Sequence, residues 1–267
     1  MPLQTRNHII EVLNDLAIGD FAARPFDCAF ELLAAPPNRK RLIMVGFNGS
    51  LADAAHTNAG AVHAGYEQPE FSNVAHGLEG GWGPKTLARR LTELPTALGF
   101  DWRDTLYTNA LLLCSQDAAS IQKVARQSSA ASLESLTRKS MNFFERVTLP
   151  LAEPELIIAY SNGLGSPSAA KILWEAFGNG EALDHVDASS YRATYGFTAT
   201  IGERKVPVVG IRHMSRFVPN VEAIKLAWER QKTRTDQGRA HRLLPITTGR
   251  SRPTMKQSKN DQKGIEQ

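Results

Sequence analysis

Apolar residues recur along this chain in two periods. Ile9, Ile10, Leu13, Leu16 and Ala17 follow helical spacing, and Gly19 ends that run. Phe26, Ala29, Phe30 and Leu33 repeat the spacing until Pro36-Pro37 stops it. Arg41–Gly46 is then a continuous apolar run of strand length, which suits a parallel strand covered on both faces. Phe47–Gly83 reads as a long irregular segment rich in Gly, Asn, His and Ala, and loops of that length are uncommon unless functional. Pro84–Leu98 predicts a helix, with Pro84 suited to its first turn. Thr105–Leu113 predicts a second strand, and residues 118–147 one or two helices. Glu155–Tyr160 predicts a third strand, Ser166–Phe177 a helix and Lys205–Arg212 a fourth core strand. Tyr191–Thr200 fits an edge strand or a hairpin arm. Pro219–Gln231 closes the body with a helix whose Val221, Ile224 and Trp228 share a face.

Alternating strands and helices imply an α/β three-layer sandwich around a mostly parallel four-stranded sheet. Ligands in such sheets bind beyond the carboxyl ends of the strands. The residues expected there are polar: Asn48-Gly49-Ser50, Thr108-Asn109, Ser161-Asn162-Gly163 and Arg212-His213-Met214-Ser215. An Asn amide carries a donor and an acceptor on one plane, which matches a nucleobase edge. A neutral His can donate to an oxygen that gains charge as a bond breaks. Blander roles stand beside these. Asn48-Gly49 is a common turn pair. Asn109 could satisfy buried amides, and His213 could be a hydrogen-bonded core residue.

Composition narrows the classes. No stretch approaches the ~20 apolar residues of a membrane helix. Two cysteines, Cys28 and Cys114, fit reduced thiols in a cytoplasmic protein and cannot alone make a zinc ribbon. His56, His63 and His76 lack regular ligand spacing, and no metal or cofactor is expected. The glycine-rich turns match neither a P-loop nor a dinucleotide fingerprint. The net charge of +4 is uneven. Residues 230–267 hold ten basic and three acidic side chains, so this tail carries +7 and residues 1–229 carry −3. The chain therefore divides into a body, 1–229, and a basic tail expected to be disordered. Such a tail can contact a phosphate backbone, or merely solubilise.

Gly46-Phe47-Asn48-Gly49-Ser50 resembles the first motif of the uracil-DNA glycosylase superfamily, and His213-Met214-Ser215 resembles its second. Thr108-Asn109 is similar to the family's uracil-reading Asn. Glu155–Tyr160 with Ser166–Lys171 resembles the strand and helix that precede the second motif. The similarity runs in order from Arg41 to Trp228. Gly49 and Met214 stand where most members have Pro, so both loops are expected to be less rigid. The long interval between Asn109 and His213 suggests an insertion within 118–147 or 178–200.

The resemblance implies an enzyme of base-excision DNA repair, a glycosidase that hydrolyses uracil or another deaminated base from DNA after flipping it out of the stack. Asn48 would orient a water at the sugar C1′, and His213 would stabilise the departing base. Asn109 would read the base edge, with an aromatic ring such as Phe47, Tyr66 or Phe71 stacked on it. Ser215, with Arg212 or Arg216, would grip a DNA phosphate. One alternative is a catalytically degraded module of the same fold that binds nucleic acid or a protein. Another is an α/β hydrolase acting on a free nucleoside or nucleotide.

Overall fold

The computed structural model describes residues 2–17, 40–50, 85–101, 104–115, 117–150, 152–186 and 193–243. Its strands are β1 (Leu42–Ser50), β2 (Thr105–Ser115), β3 (Leu156–Ala159), β4 (Asp184–His185), β5 (Thr194–Ile201) and β6 (Arg204–Ile211). They form one sheet in the order β2-β1-β3-β6-β5-β4. Strands β2, β1, β3 and β6 run parallel; β5 is antiparallel to β6, and β4 to β5. The expected four-stranded, mostly parallel sheet is thus corrected to a six-stranded mixed one. The added pair arises because β5 folds back on β6 as a hairpin. Its tight turn starts at Gly202, whose φ of +58° an L side chain rarely adopts. Both extra strands come from the stretch between Asn109 and His213.

Alternation along the strands explains the layers. Ile43, Val45 and Phe47 of β1 join one apolar cluster, with Ile157 and Ala159 of β3 and Val206 and Val208 of β6. Leu42 and Met44, Leu156 and Ile158, and Val209 and Ile211 join the other. Each parallel strand is therefore apolar on both faces, as its unbroken run predicts. Helices α1 (Pro2–Leu16), α3 (Ile121–Gln127), α4 (Leu133–Phe143) and α5 (Ala169–Phe177) cover the first face. A π-helical turn, Phe144–Thr148, extends α4 there. Helices α2 (Lys85–Ala97) and α6 (Val221–Leu243) cover the second.

Local chemistry fits these elements. Ser132 and Ser168 cap α4 and α5 by accepting from the N–H groups of Ser135 and Lys171. Pro95 lies inside α2 and cannot donate to the Leu91 carbonyl. The Tyr107 hydroxyl donates to that carbonyl instead, at 2.8 Å, and so ties α2 to β2.

The last helix outruns its expected end at Gln231 by twelve residues. Gln231 is fully buried, and its side chain contacts Thr198 and Asp184. Arg230 and Arg234 both reach the Asp184 carboxylate, at 3.2 and 3.3 Å. Residues 230–234, counted with the tail on sequence grounds, are therefore helix docked on the β4–β5 edge. Residues 244–267 lie outside the described residues, as does the helix expected around Phe26–Leu33. No described helix is long and apolar enough to cross a membrane.

Candidate active site

The polar residues gather on the α2–α6 face of the sheet, where β3 stops and β1 and β2 continue. Strand β3 ends at Ala159, opposite Val45. Gly46 is thus level with Tyr160, and it pairs with Asn109 on its other side. Asn109 lies in the body of β2, not at its end as the sequence suggested. It shares a face with Tyr107, which belongs to the second apolar cluster with Tyr160. Gly46 is what lets these side chains meet. A Cβ there would overlap Asn109 Oδ1 and come within 2.7 Å of the Tyr160 hydroxyl. Asn109 is 7% exposed, and its buried Nδ2 has no hydrogen-bond partner among the described residues. Leaving such a donor unpaired costs about 1–3 kcal/mol.

Asn48 follows two residues later on β1 and, by the strand's alternation, on the same face as Gly46. The irregular segment expected from Phe47 is corrected here, because β1 stays extended to Ser50, which also rules out the alternative of a turn at Asn48-Gly49. Strand β2 bulges beside it: two steps on β1, from Asn48 to Ser50, match four on β2, from Leu111 to Ser115. The bulge turns Ser115 toward Asn48. Asn48 Nδ2 donates to Ser115 Oγ at 2.7 Å and to the Gly49 carbonyl at 3.0 Å. Ser115 Oγ in turn donates to the Asp117 carbonyl at 2.5 Å. Its one proton is thereby used, so towards Asn48 it can only accept. This fixes the amide orientation and leaves Asn48 Oδ1 without a partner among the described residues.

His213 follows β6, and its ring meets the Tyr160 ring edge-on at 5.9 Å between centroids. Its Nδ1 accepts from the Ser215 N–H at 3.2 Å and lies 2.7 Å from Ser215 Oγ. An Nδ1 that accepts from an amide carries no proton, so in the neutral ring the hydrogen is on Nε2. Nε2 makes no hydrogen bond to another described residue. Burial lowers the imidazole pKa from its ordinary 6.5, and the Arg216 charge lowers it further.

The loop expected to loosen without its proline is held in other ways. Met214 is fully buried among apolar side chains. Its carbonyl and that of Phe217 both accept from one guanidinium nitrogen of Arg90 on α2. The His213 carbonyl accepts from the N–H groups of Arg216 and Phe217.

Asn109 and His213 thus meet around Gly46 and Tyr160, and the alternation of β1 puts Asn48 on the same face. Other expected site residues fall elsewhere. Phe47 points to the opposite face, inside the first apolar cluster, so it cannot stack on a base held here. Asn162 braces the fold: its Nδ2 donates to the Ala193 and Gly210 carbonyls, and its carbonyl accepts from Tyr195. Ser215 spends its N–H and hydroxyl on His213 rather than facing a phosphate freely. The Arg212 guanidinium lies on the Phe217 ring, 3.2 Å from its centroid, and Arg216 is exposed. Phe71, Tyr66, His56, His63 and His76 lie outside the described residues. Among the described residues, no three His, Cys, Asp or Glu side chains gather as a metal site would.

Sequence reasoning missed Tyr160, Ser115 and Arg90. Tyr160 closes the third apolar run, so strand-end reasoning could have found it. Ser115 could not be found that way, because a bulge places it. No family model and no curated protein matches this chain.

Proposed function

We propose that this chain is a DNA glycosylase-like hydrolase that removes uracil or another deaminated base from DNA. One observation carries the reading. Asn48 Oδ1, Asn109 Nδ2 and His213 Nε2 are three hydrogen-bonding ends without described partners, on one side of one sheet. Such unspent capacity suits a ligand with a polar planar edge.

The chemistry follows from the atoms. The target nucleotide leaves the stack and enters the site. Asn109 pairs with the base edge, which relieves its buried donor. Asn48 Oδ1 accepts a hydrogen from water and aims the water's lone pair at C1′. The glycosidic bond breaks with its electron pair moving onto the base, the water oxygen bonds to C1′, and the proton it sheds passes to the departed base anion or to solvent. The His213 Nε2–H donates to the base oxygen where that charge collects. A neutral imidazole suffices, which agrees with its lowered pKa.

The test is direct. Purified protein is incubated with a uracil-containing oligonucleotide, and alkali-labile abasic sites are measured. Cleavage by the wild type that is lost in Asn48→Ala and His213→Ala supports the reading. No cleavage of uracil, hypoxanthine or xanthine strands, with DNA binding that survives both substitutions, rejects it in favour of a binding module.

A further inference from the structure

We infer that Ser115 is the positioning residue for Asn48, holding the amide so that only its oxygen faces the reacting water. This rests on the glycosylase reading of the site. Ser115 is 1% exposed and lies on β2, 67 residues from Asn48. Its hydroxyl has one proton, and that proton goes to the Asp117 carbonyl. The carbonyl is itself fixed, since it also accepts from Ser120 Oγ at 2.9 Å. The Asp117 side chain accepts from the Ser120 N–H at 2.8 Å, which pins the turn leading into α3.

The relay therefore has one direction. Asp117 accepts from Ser115, and Ser115 accepts from Asn48. A flipped Asn48 would set its Oδ1 against the Ser115 lone pairs and against the Gly49 carbonyl, two repulsive contacts in place of two hydrogen bonds. The bulge in β2 exists at this point, and it is what carries Ser115 to Asn48. The N–H that the bulge frees at Leu112 is satisfied by Ser140 Oγ on α4 at 3.2 Å, so the irregularity is built in. Ser115 itself never touches the substrate; it acts through Asn48.

Ser115→Ala removes only the oxygen. Single-turnover cleavage of a uracil oligonucleotide falls roughly tenfold, as loss of one orienting hydrogen bond implies. The affinity for the same strand stays unchanged. In an Asn48→Ala background the second substitution has no further effect, because there is no amide left to orient. A purely structural Ser115 would instead add its loss in full to Asn48→Ala. Full cleavage by Ser115→Ala, or that additive loss, overturns the inference. A second readout works even if the wild type cleaves nothing, the outcome that defeats the proposed function. The Asn48 side-chain amide protons, assigned by NMR through Asn48→Ala, exchange slowly with solvent in the wild type and at least several-fold faster in Ser115→Ala. Equal exchange in the two proteins overturns the positioning role.

Discussion

The two ends of the parallel strands treat their polar groups differently. At the amino end, Arg41 forms a two-pronged pair with Glu155, at 2.7 and 3.0 Å. The Arg41 guanidinium also lies 5.2 Å from the Phe100 ring centroid. Trp228 donates to the Glu155 carbonyl, and Lys40 is buried near Asp104 and Asp101. Burial lowers the Lys40 pKa while the two carboxylates oppose the shift. Every one of these groups is spent on another part of the protein. At the carboxyl end the polar groups are half spent. Asn48 uses its donor and keeps its acceptor, His213 uses Nδ1 and keeps Nε2, and the buried Asn109 donor is unpaired. Of these, the Asn109 donor is the costly one, because Asn48 and His213 are only partly buried and water can serve their open ends. Under the proposed function that cost is repaid when a base edge binds.

Substitutions of the half-spent side chains at the carboxyl end should carry the largest effects on activity and small ones on stability. Asn48→Ala and His213→Ala should each lower cleavage of a uracil strand by about 10²–10³, with thermal midpoints close to the wild type. Gly46→Ala comes next. The new methyl displaces Asn109 and crowds Tyr160, which costs about 1–3 kcal/mol. The denaturant midpoint should fall while the far-UV spectrum keeps its shape, and cleavage should drop with it. Full activity in Gly46→Ala would mean that Asn109 is not used where it lies. At the amino end the pattern reverses. Glu155→Gln breaks a pair whose side chains are about 40% exposed, so it should cost less than about 1 kcal/mol. It should leave cleavage untouched. A Glu155→Gln protein with impaired cleavage would break the distinction between the two ends.

The sequence made the four parallel strands legible, because strands covered on both faces are written as unbroken apolar runs. It also assigned Asn48, Asn109 and His213 to the right strands' neighbourhoods, but Asn48 lies within β1 rather than after it and Asn109 inside β2 rather than at its end, while His213 follows β6 as expected. What it could not supply was geometry between strands. Phe47 neighbours Asn48 in the chain, yet the two-residue pleat sends it to the other face. Tyr191–Thr200 reads as an edge strand or a hairpin arm and so anticipates β5, but the two-residue β4 beyond it carries no pattern, and the pairing of β5 with β6 depends on a turn at Gly202. Residues 230–234 look like tail by charge. They are helix because Asp184, 46 residues upstream of Arg230, collects Arg230, Gln231 and Arg234. Met214 looked like a lost proline, but its side chain anchors the loop in the apolar cluster below.

The smallest expected effect sharpens the comparison most finely, because it asks whether His213 is held neutral. Burial and the Arg216 charge both lower its pKa, so its NMR titration midpoint should lie below the ordinary 6.5. Arg216→Ala removes one of the two causes and should move the midpoint upward, towards 6.5, without reaching it. The unfolded chain takes up this proton near 6.5, before the folded protein does. His213 therefore contributes stability that is complete above 6.5 and is lost as the pH falls through the folded midpoint. In His213→Gln that part of the acid loss should vanish, so urea midpoints for variant and wild type should converge as the pH is lowered. A midpoint at or above 6.5 in the wild type would mean an imidazole that charges freely, and the donor at Nε2 would then be no different from one on an exposed histidine.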